Sequence, residues 1–397
     1  MADVTHPSGG HAAPRLAVRR GPMALAVVGV VGAGVAWALD LASARAATSQ
    51  VWSPFVLVGG LLLVGLVADQ DGLFAALGVR LASLARSGLA LFAGASLIVV
   101  TVTALLNLDT SVVFVTPVLV YAARSRGHSE VPLLMAGLLL SNAASLLLPG
   151  SNLTNLIVLG HLDLSGSQLF VHMALPWVAA TLLTAAIIAV VERRTLHRRT
   201  TGAPETDDLP ADEHPGFGLG SAAIILVAVL VLSLRSPALP VAAVGVVVIL
   251  IRLLGKRTEL HRVLGVLGLP VLVGLFGVAV AFGTLGRTWS GPEVLLSHLD
   301  GVGTAAVAAV ATVLINNLPA ASLLAARVPP HPYALLVGLD VGPNLFVTGS
   351  LAWVLWFRTS TNAGARPPLA RTVTLGLITV PVAMAAALAM LAATGSL

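Results

Sequence analysis

The stretch LLNLDTSVVFVTP, residues 105–117, places a carboxylate inside a long apolar run. The run stops at Asn107, Asp109 follows with the hydroxyls of Thr110 and Ser111 behind it, and the run then resumes. A charged side chain at the centre of a bilayer costs about 2.5–3.5 kcal/mol on insertion scales. The stretch therefore predicts a special place in the fold, where an acid at membrane depth is tolerated.

The composition indicates an all-α polytopic membrane protein. Of 397 residues, 57% are hydrophobic and only 10% are charged, and the mean hydropathy is +0.96. A soluble domain has about a quarter of its residues charged, and an apolar run of about 20 residues spans the hydrocarbon as a helix. The chain has no cysteine, which excludes disulfides and thiolate metal sites, and we expect no cofactor.

The basic character, with a net charge of +5, indicates membrane orientation and not nucleic-acid binding, because the arginines stand in short loops beside apolar runs. Residues 1–22 are predicted to be a cytoplasmic N-terminal tail, followed by an uncleaved first helix over 23–39. The segment ASARAA behind it resembles a signal-peptide cleavage site, but the apolar run is long for a signal peptide. We expect a multi-pass protein of the bacterial plasma membrane.

The opening stretch is best explained as the tip of a re-entrant hairpin over about 90–124. The apolar run after the acid, 112–123, is too short for a full crossing. Arg86 precedes the hairpin and Arg124 and Arg126 follow it, so both of its ends prefer the cytoplasm. Irregular backbone at this depth is tolerated only when it is buried in protein or lines a wet cavity.

The same order of features occurs twice, which predicts an inverted repeat with two re-entrant hairpins, two broken transmembrane helices and about 9–10 crossings. Gly150-Ser151 in SLLLPGSNL aligns with Gly349-Ser350 in NLFVTGSLA. Paired, interrupted apolar segments of this kind are typical of transporters. The predicted parts are a first repeat 23–191 with its broken helix 131–160, a flexible cytoplasmic linker 192–218, and a second repeat 219–397 with a hairpin about 303–328 and a broken helix 332–357.

Four segments resemble the ArsB-type family of arsenite/antimonite efflux permeases: NLDTSVVFVTP, SNAASLLLPGSNLTNL, INNLPA and GLDVGPNLFVTGSLAWVLW. That family is part of an ion transporter superfamily with sodium/proton antiporters and dicarboxylate/sodium symporters. The resemblance covers residues 50–395. Two features depart from it: one N-terminal crossing of longer members is missing, and an acid of some members is here Asn142.

The resemblance implies two hairpin tips that face two helix breaks, with substrate and coupling ion between them. Carried over to this chain, the first cluster comprises Asn107, Asp109, Thr110, Ser111, Ser145, Ser151, Asn152 and Asn155. The second comprises Asn316, Asn317, Asp340, Asn344, Thr348 and Ser350. Some of these side chains equally suit the repair of broken backbone hydrogen bonds, namely Ser151, Asn155 and Ser350. Asn142 is predicted to be an ordinary contact between helices.

The chemistry of trivalent arsenic fits a binding site built from the amide and hydroxyl groups of these two clusters. Trivalent arsenic is mostly neutral As(OH)3 near pH 7, and a pump that must release it suits amide and hydroxyl groups better than thiolates. Uphill export needs a coupled ion, and of 17 acidic residues only Asp109 and Asp340 lie within apolar runs. We predict Asp109 as the main proton carrier and Asp340 as the second candidate. The alternative is that each acid caps a broken helix.

Other functions remain open from the sequence. A sodium/proton antiporter of the same fold is the nearest alternative, and a carboxylate carrier is weaker because no Lys or Arg lies within an apolar run. An intramembrane hydrolase lacks recognisable catalytic motifs, and a passive channel fits the repeats less well. A cytoplasmic ATPase subunit as a partner, and the oligomeric state, are left undecided.

Overall fold

The computed structural model describes residues 13–160, 162, 165–198 and 218–397, and all regular secondary structure in these ranges is helical. The chain is a helical polytopic membrane protein. Six helical stretches of the described residues are long and apolar enough to cross a membrane: Gly21–Leu39, Leu41–Gln70, Gly88–Leu105, Gly166–Val191, Leu260–Thr288 and Leu369–Ala393. Shorter apolar helices lie between them.

The described residues of the first half form ten α-helices. In chain order they are α1 (Ala13–Leu39), α2 (Leu41–Gln70), α3 (Leu73–Leu84), α4 (Gly88–Leu105), α5 (Leu108–Thr110), α6 (Thr116–Ser125), α7 (Val131–Ala144), α8 (Leu153–Leu159), α9 (Gly166–Val191) and α10 (Arg193–His197). A π-helical turn, Ser111–Val115, joins α5 to α6, and a 3-10 turn, Pro149–Ser151, lies between α7 and α8.

The second half also contains ten helices. They are α11 (Leu219–Ser233), α12 (Ala238–Leu254), α13 (Leu260–Leu267), α14 (Leu269–Thr288), α15 (Gly291–Ser297), α16 (Gly301–Ile315), α17 (Asn317–Leu324), α18 (Pro332–Val341), α19 (Leu351–Asn362) and α20 (Leu369–Ala393). A 3-10 turn, Gly342–Leu345, follows α18.

An asparagine forms the tip of each helical hairpin. In the first hairpin, α4 ends before Asn107, whose side-chain Oδ1 accepts a hydrogen bond of 2.6 Å from the backbone N–H of Thr110 and so caps α5. In the second, Asn316 caps α17 with a positive φ of 73° and an extended ψ of 152°. Residues other than glycine rarely adopt this combination, so the backbone of this tip is strained. The tips are therefore built from local backbone chemistry, as their polar sequences suggest.

The two broken helices are interrupted at matching places. The first piece of the first broken helix, α7, ends at Ala144. The break therefore begins at Ser145, ahead of Pro149, where the sequence predicts it. Each second piece begins after an extended cap residue, Asn152 with φ/ψ of −149°/145° and Ser350 with −149°/159°. The structure therefore pairs Asn152 with Ser350. The alignment of the two Gly-Ser pairs is wrong by one residue, because it matched letters and not the caps.

The predicted N-terminal tail, 1–22, and the predicted linker, 192–218, are both partly helical. Helix α1 begins at Ala13, inside the predicted tail, and α10 occupies the beginning of the predicted linker. Leu196 of α10 is buried, and the buried carboxylate of Glu192 forms an ion pair of 2.6 Å with Arg371. The linker is thus packed near its start. Residues 1–12 of the tail and 199–217 of the linker lie outside the described residues.

Close helix contacts connect the two halves. Helix α1 packs on α14, α2 on α12, and α9 on α20. Gly60 of α2 lies so close to the backbone of α12 at Ala242 that a Cβ would not fit between them. At the end of α2, Asp71 forms an ion pair with Arg252 of α12 and accepts a hydrogen bond of 2.7 Å from the backbone of Gly220. These contacts surround the hairpins and the breaks, which meet at the centre.

Candidate functional site

Both hairpin tips and both helix breaks line one small cavity, which we call the central cavity. Its volume is about 30 Å³, room for a water molecule. Leu275 of α14 completes the wall. The lining residues from the tips and breaks are Leu108, Asp109, Asn152, Leu153, Asn316, Asn317, Leu318, Ser350, Leu351 and Ala352. Five of the fourteen predicted site residues are therefore brought to one place: Asp109, Asn152, Asn316, Asn317 and Ser350.

Asp109 is the one titratable group of this lining. It is half-buried and lies in the first turn of α5, where the helix dipole favours a negative charge. Within the described part of the chain its carboxylate makes neither a hydrogen bond nor an ion pair. The cap of α5 is Asn107, so the alternative prediction that Asp109 itself serves as the helix cap does not describe this geometry.

The remaining polar residues of the first tip are not part of the lining of the central cavity. The Nδ2 atom of Asn107 and the hydroxyl of Thr110 are buried with no hydrogen-bond partner in the described structure. The methyl group of Thr110 lies against Gly65 of α2, where a Cβ would approach it to 2.8 Å. The hydroxyl of Ser111 donates to the carbonyl of Val99 at 3.4 Å. These residues hold the tip against its neighbours.

Three side chains of the first break serve the broken backbone. The hydroxyl of Ser151 donates to the carbonyl of Ala104 at the end of α4, at 3.0 Å. The amide of Asn155 donates to the carbonyls of Ser145 and Leu148, at 2.7 and 3.0 Å. Ser145 in turn donates its hydroxyl to the carbonyl of Asn142, at 2.8 Å. Ser151 and Asn155 thus donate hydrogen bonds to backbone carbonyls at the interrupted helix ends, which is one of the two roles that the sequence left open for them.

The second tip is joined to the second break by its backbone. The N–H of Asn317 donates to the carbonyl of Gly349 at 2.9 Å, and the amide of Asn316 donates to the carbonyl of Thr348 at 3.1 Å. The hydroxyl of Thr348 donates to the carbonyl of Val313 at 2.5 Å on an exposed surface, and this residue is not part of the lining. The hydroxyl of Ser350 is buried without a partner among the described atoms and lines the central cavity.

Asp340 is fully buried and contacts the first break, not the second tip with which the resemblance groups it. Its Oδ1 accepts hydrogen bonds from Asn152 at 2.9 Å and from the hydroxyl of Thr154 at 2.7 Å. The amide of Asn152 also lies 3.2 Å from the hydroxyl of Ser145. The other carboxylate oxygen, Oδ2, has no partner in the described residues. The donors to Asp340 are side chains, so the acid does not cap a broken helix.

Asn344 completes a buried polar network between the two broken helices. Its Oδ1 accepts from the amide of Asn142 at 2.8 Å, and its own amide donates to the carbonyl of Leu139 at 2.9 Å. Asn142 is therefore a contact between helices, as predicted from the sequence. Sequence reasoning missed Thr154. The available signal was its position in NLTN, two residues after the cap of α8, where its hydroxyl can reach the same partner as the amide of Asn152.

In the ranges that the structure describes, no three His, Asp or Glu side chains lie close enough together to hold a metal ion. The chemistry that the lining offers is one carboxylate, several amide and hydroxyl groups, and the N-terminal ends of α5, α8, α17 and α19. Such a surface binds small polar solutes by hydrogen bonds.

The chain is similar to known transporters over most of its length. The family model described as citrate transporter, CitMHS, matches residues 16–338. The arsenical pump membrane protein of Escherichia coli is 23% identical over 367 residues, covering 82% of this chain and 85% of that protein. The protein of the same name from Yersinia enterocolitica is 25% identical over 380 residues, with the same coverage. These matches confirm the resemblance drawn from the sequence.

One solved structure is similar in fold. The crystal structure of the Alcanivorax borkumensis YdaH transporter, described as having an unusual topology, aligns with a TM-score of 0.55 and 16% identity. The alignment covers 94% of this chain and 98% of that one. At this identity the likeness concerns the fold alone.

Proposed function

Because the chain belongs to the citrate transporter family, CitMHS, we propose that it is a secondary active transporter that exports arsenite and antimonite, as the trivalent hydroxides, in exchange for protons. The observation that carries the proposal is the convergence of both tips and both breaks on one cavity. Interrupted helices that meet between two repeats are the usual place of substrate binding in alternating-access transporters. Similarity to arsenical pump membrane proteins over 82% of the chain supports the choice of substrate.

The lining favours a neutral polyhydroxyl solute over a polyanion such as citrate. Asn152, Asn316, Asn317 and Ser350 offer amide and hydroxyl groups, whereas no Lys or Arg among the described residues lines the central cavity. Asp109 would repel a carboxylate while it is ionised. Helix N-termini favour anions, but typically by about 0.3–1 kcal/mol each. As(OH)3 both donates and accepts hydrogen bonds, so it could use these groups without a charged partner once the cavity widens beyond its present volume of about 30 Å³ during the transport cycle.

Proton coupling is assigned to Asp109. Its carboxylate faces the central cavity and has no partner within the described structure, so a change of protonation there does not require any ion pair to break. Asp340 is the second candidate, since one of its oxygens is free, but it has no exposed surface. We propose that Asp109 takes up a proton when the cavity faces outward and releases it when the cavity faces inward.

The proposed membrane arrangement follows from the arginines. The hairpins α4–α6 and α16–α17 are re-entrant and enter from opposite sides, the N-terminus is cytoplasmic, and residues 192–218 connect the repeats 23–191 and 219–397 on the cytoplasmic side. Arg124 and Arg126 beside the first hairpin and Arg193 and Arg194 after α9 then all face the cytoplasm, as the positive-inside rule requires.

One observation favours a sodium/proton antiporter as the alternative. The oxygens of Asp340, Asn152, Thr154 and Ser145 are gathered within one buried network, and oxygen ligands of this type suit hard cations. Under this alternative Asp340 would bind sodium directly. The hydrogen bonds that the Asn152 amide and the Thr154 hydroxyl donate to Asp340 occupy one of its oxygens, which makes this reading the weaker one.

The test is expression of the full chain in a bacterial host that is hypersensitive to both arsenite and sodium. We expect growth to be restored on arsenite and antimonite and not on high sodium chloride, compared with an empty vector. Asn317→Ala, which truncates a lining amide, should reduce the protection, while Thr348→Ala outside the lining should retain it. Protection against sodium alone would replace the proposal with the antiporter.

A further inference from the structure

A deep apolar groove opens sideways between α4 and α9, away from the central cavity. Its volume is about 530 Å³. We call it the lateral groove; its walls extend from Leu89 to Val100 on α4 and from Trp177 to Ala189 on α9, and Leu140 of α7 closes its deep end. Two hydroxyl residues lie in its walls: Thr181 donates to the carbonyl of Trp177 at 2.7 Å, and the hydroxyl of Ser96 is buried without a partner in the described structure. The rest of the lining is hydrocarbon.

The length of the lateral groove matches one leaflet of a bilayer. At 1.5 Å per residue, the walls are roughly 17 Å long on α4 and roughly 18 Å on α9. Half of the hydrocarbon thickness of a typical bilayer is about 15 Å. A single acyl chain that enters at Leu89 and Ala189 would therefore reach Leu140 and Trp177 near the midplane.

Arginines surround the mouth of the lateral groove. Helix α10 packs on the beginning of α4, where Gly88 lies against the carbonyl of Leu196. Four exposed arginines stand here, Arg86 before α4 and Arg193, Arg194 and Arg198 in and after α10. None of the four forms an ion pair with the described residues. An apolar slot one leaflet deep with positive charge at its mouth is complementary to one class of molecule, a lipid with an anionic headgroup.

We propose that an anionic phospholipid of the cytoplasmic leaflet occupies this groove, with an acyl chain between α4 and α9 and its phosphate on the arginines of the mouth. The inference rests on the membrane orientation proposed above and not on the substrate. Guanidinium groups bind phosphate oxygens by charge-assisted hydrogen bonds, and a second arginine adds to the first. Contact between the acyl chain and the groove walls holds the lipid in the groove, and the arginines select a lipid with an anionic headgroup.

The lipid would contact the part of the protein that has to move. The indole N–H of Trp177, at the deep end of the groove, donates to the carbonyl of Ala144 at 3.0 Å, and Ala144 is the last residue of α7 before the first break. Helix α4, the other wall, is one arm of the first hairpin. Occupancy of the groove therefore stabilises both the break and the hairpin arm, which links transport activity to the lipid composition of the membrane.

Trp177 provides the test, because bromine on an acyl chain quenches tryptophan fluorescence at contact. The full chain is reconstituted in vesicles that contain brominated phosphatidylglycerol or brominated phosphatidylcholine. We expect more quenching by the glycerol lipid, and we expect Trp177→Phe to remove this difference although five other tryptophans remain. The triple variant R193Q/R194Q/R198Q should weaken the preference for the anionic lipid by about tenfold or more.

A matched variant carries the same loss of charge elsewhere on the predicted cytoplasmic face. Arg80, Lys256 and Arg257 are exposed and lie outside the groove mouth, so R80Q/K256Q/R257Q should retain the preference. Equal quenching by the two lipids, a preference that persists in Trp177→Phe, or equal loss in the two triple variants would overturn the proposal. Equal quenching of the wild type and Trp177→Phe by each lipid, as when a second copy covers the groove, would overturn it too. The assay involves no transport, so its outcome is independent of the proposed substrate.

Discussion

Asp340 and Asn152 join the two halves of the protein through one hydrogen bond of 2.9 Å. Asn152 is the cap of α8 and lines the central cavity, whereas Asp340 is sealed in the second broken helix. Thr154 strengthens the connection with a bond of 2.7 Å to the same oxygen. We therefore propose that a ligand that moves Asn152 would act directly on a buried acid of the other half of the protein.

This connection predicts different effects of two substitutions at position 340. Asp340→Asn keeps an oxygen that can accept from Asn152 and Thr154, so the thermal stability in detergent should stay near that of the wild type. Asp340→Leu leaves both donors unsatisfied, at about 1–3 kcal/mol each, and should lower the Tm clearly. Equal Tm values for the two variants would show that the hydrogen bonds contribute nothing.

The lining predicts a binding defect without a folding defect for Asn317→Ala. The backbone N–H that joins Asn317 to Gly349 remains, and only the cavity-facing amide is lost. One hydrogen bond to the solute contributes about 0.5–1.5 kcal/mol, so the KM for arsenite should rise about 3–10-fold. Transport kinetics in everted membrane vesicles measure this rise, with Thr348→Ala as the control. An unchanged KM for Asn317→Ala would remove this residue from the binding site.

The contact between α2 and the first tip predicts a steric effect at Gly65. A Cβ there would lie 2.8 Å from Thr110 and 3.2 Å from Phe114, so Gly65→Ala should displace the tip and lower both the Tm and the transport rate. Overpacking of this kind costs about 1–3 kcal/mol. Gly59 is the matched control on the same helix, since nothing lies within 4 Å of its added Cβ. Loss of activity in Gly59→Ala as large as in Gly65→Ala would contradict the steric account.

The ion pair of Glu192 with Arg371 predicts that the contact between α9 and α20 contributes to the stability of the fold. The carboxylate is fully buried and the arginine is 51% exposed. Arg371→Gln leaves the buried carboxylate of Glu192 unpaired. It should lower the free energy of unfolding by about 2 kcal/mol, between the costs of breaking an exposed and a buried ion pair. The double variant E192Q/R371Q should lose less stability than the sum of the losses in the two single variants. Strict additivity of the Tm changes would exclude the pair as a stabilising contact.

The sequence predicts those parts of the fold that local chemistry decides. The first hairpin breaks at Asn107 and the second at Asn316 because an asparagine side chain can replace a missing backbone hydrogen bond, and this property is visible in the sequence. The early end of α7 is different. Ser145 and Leu148 leave the helix because Asn155 satisfies their carbonyls, and this is a contact that the local pattern does not reveal.

Within the candidate site, the sequence identifies residue types better than partners. Asp109 and Asp340 are conspicuous because they are acids in apolar runs. That Asp340 bonds to Asn152 and Thr154 depends on how two helices separated by nearly half of the chain pack together, whereas the family resemblance groups Asp340 with the tip of its own half. Thr348 shows the converse, because its place in a specific motif made it a candidate while the structure turns its hydroxyl to Val313.

We propose that Asp109 carries the coupled proton, and its substitution tests this directly. We would measure accumulation of arsenite in everted vesicles under an imposed pH gradient, with Asp109→Asn compared with Glu259→Gln, an exposed acid that does not line the central cavity. We predict that Asp109→Asn reduces gradient-driven accumulation to the level of the empty vector while arsenite exchange without a gradient persists, and that Glu259→Gln behaves as the wild type. Wild-type accumulation by Asp109→Asn under the same gradient would contradict the account.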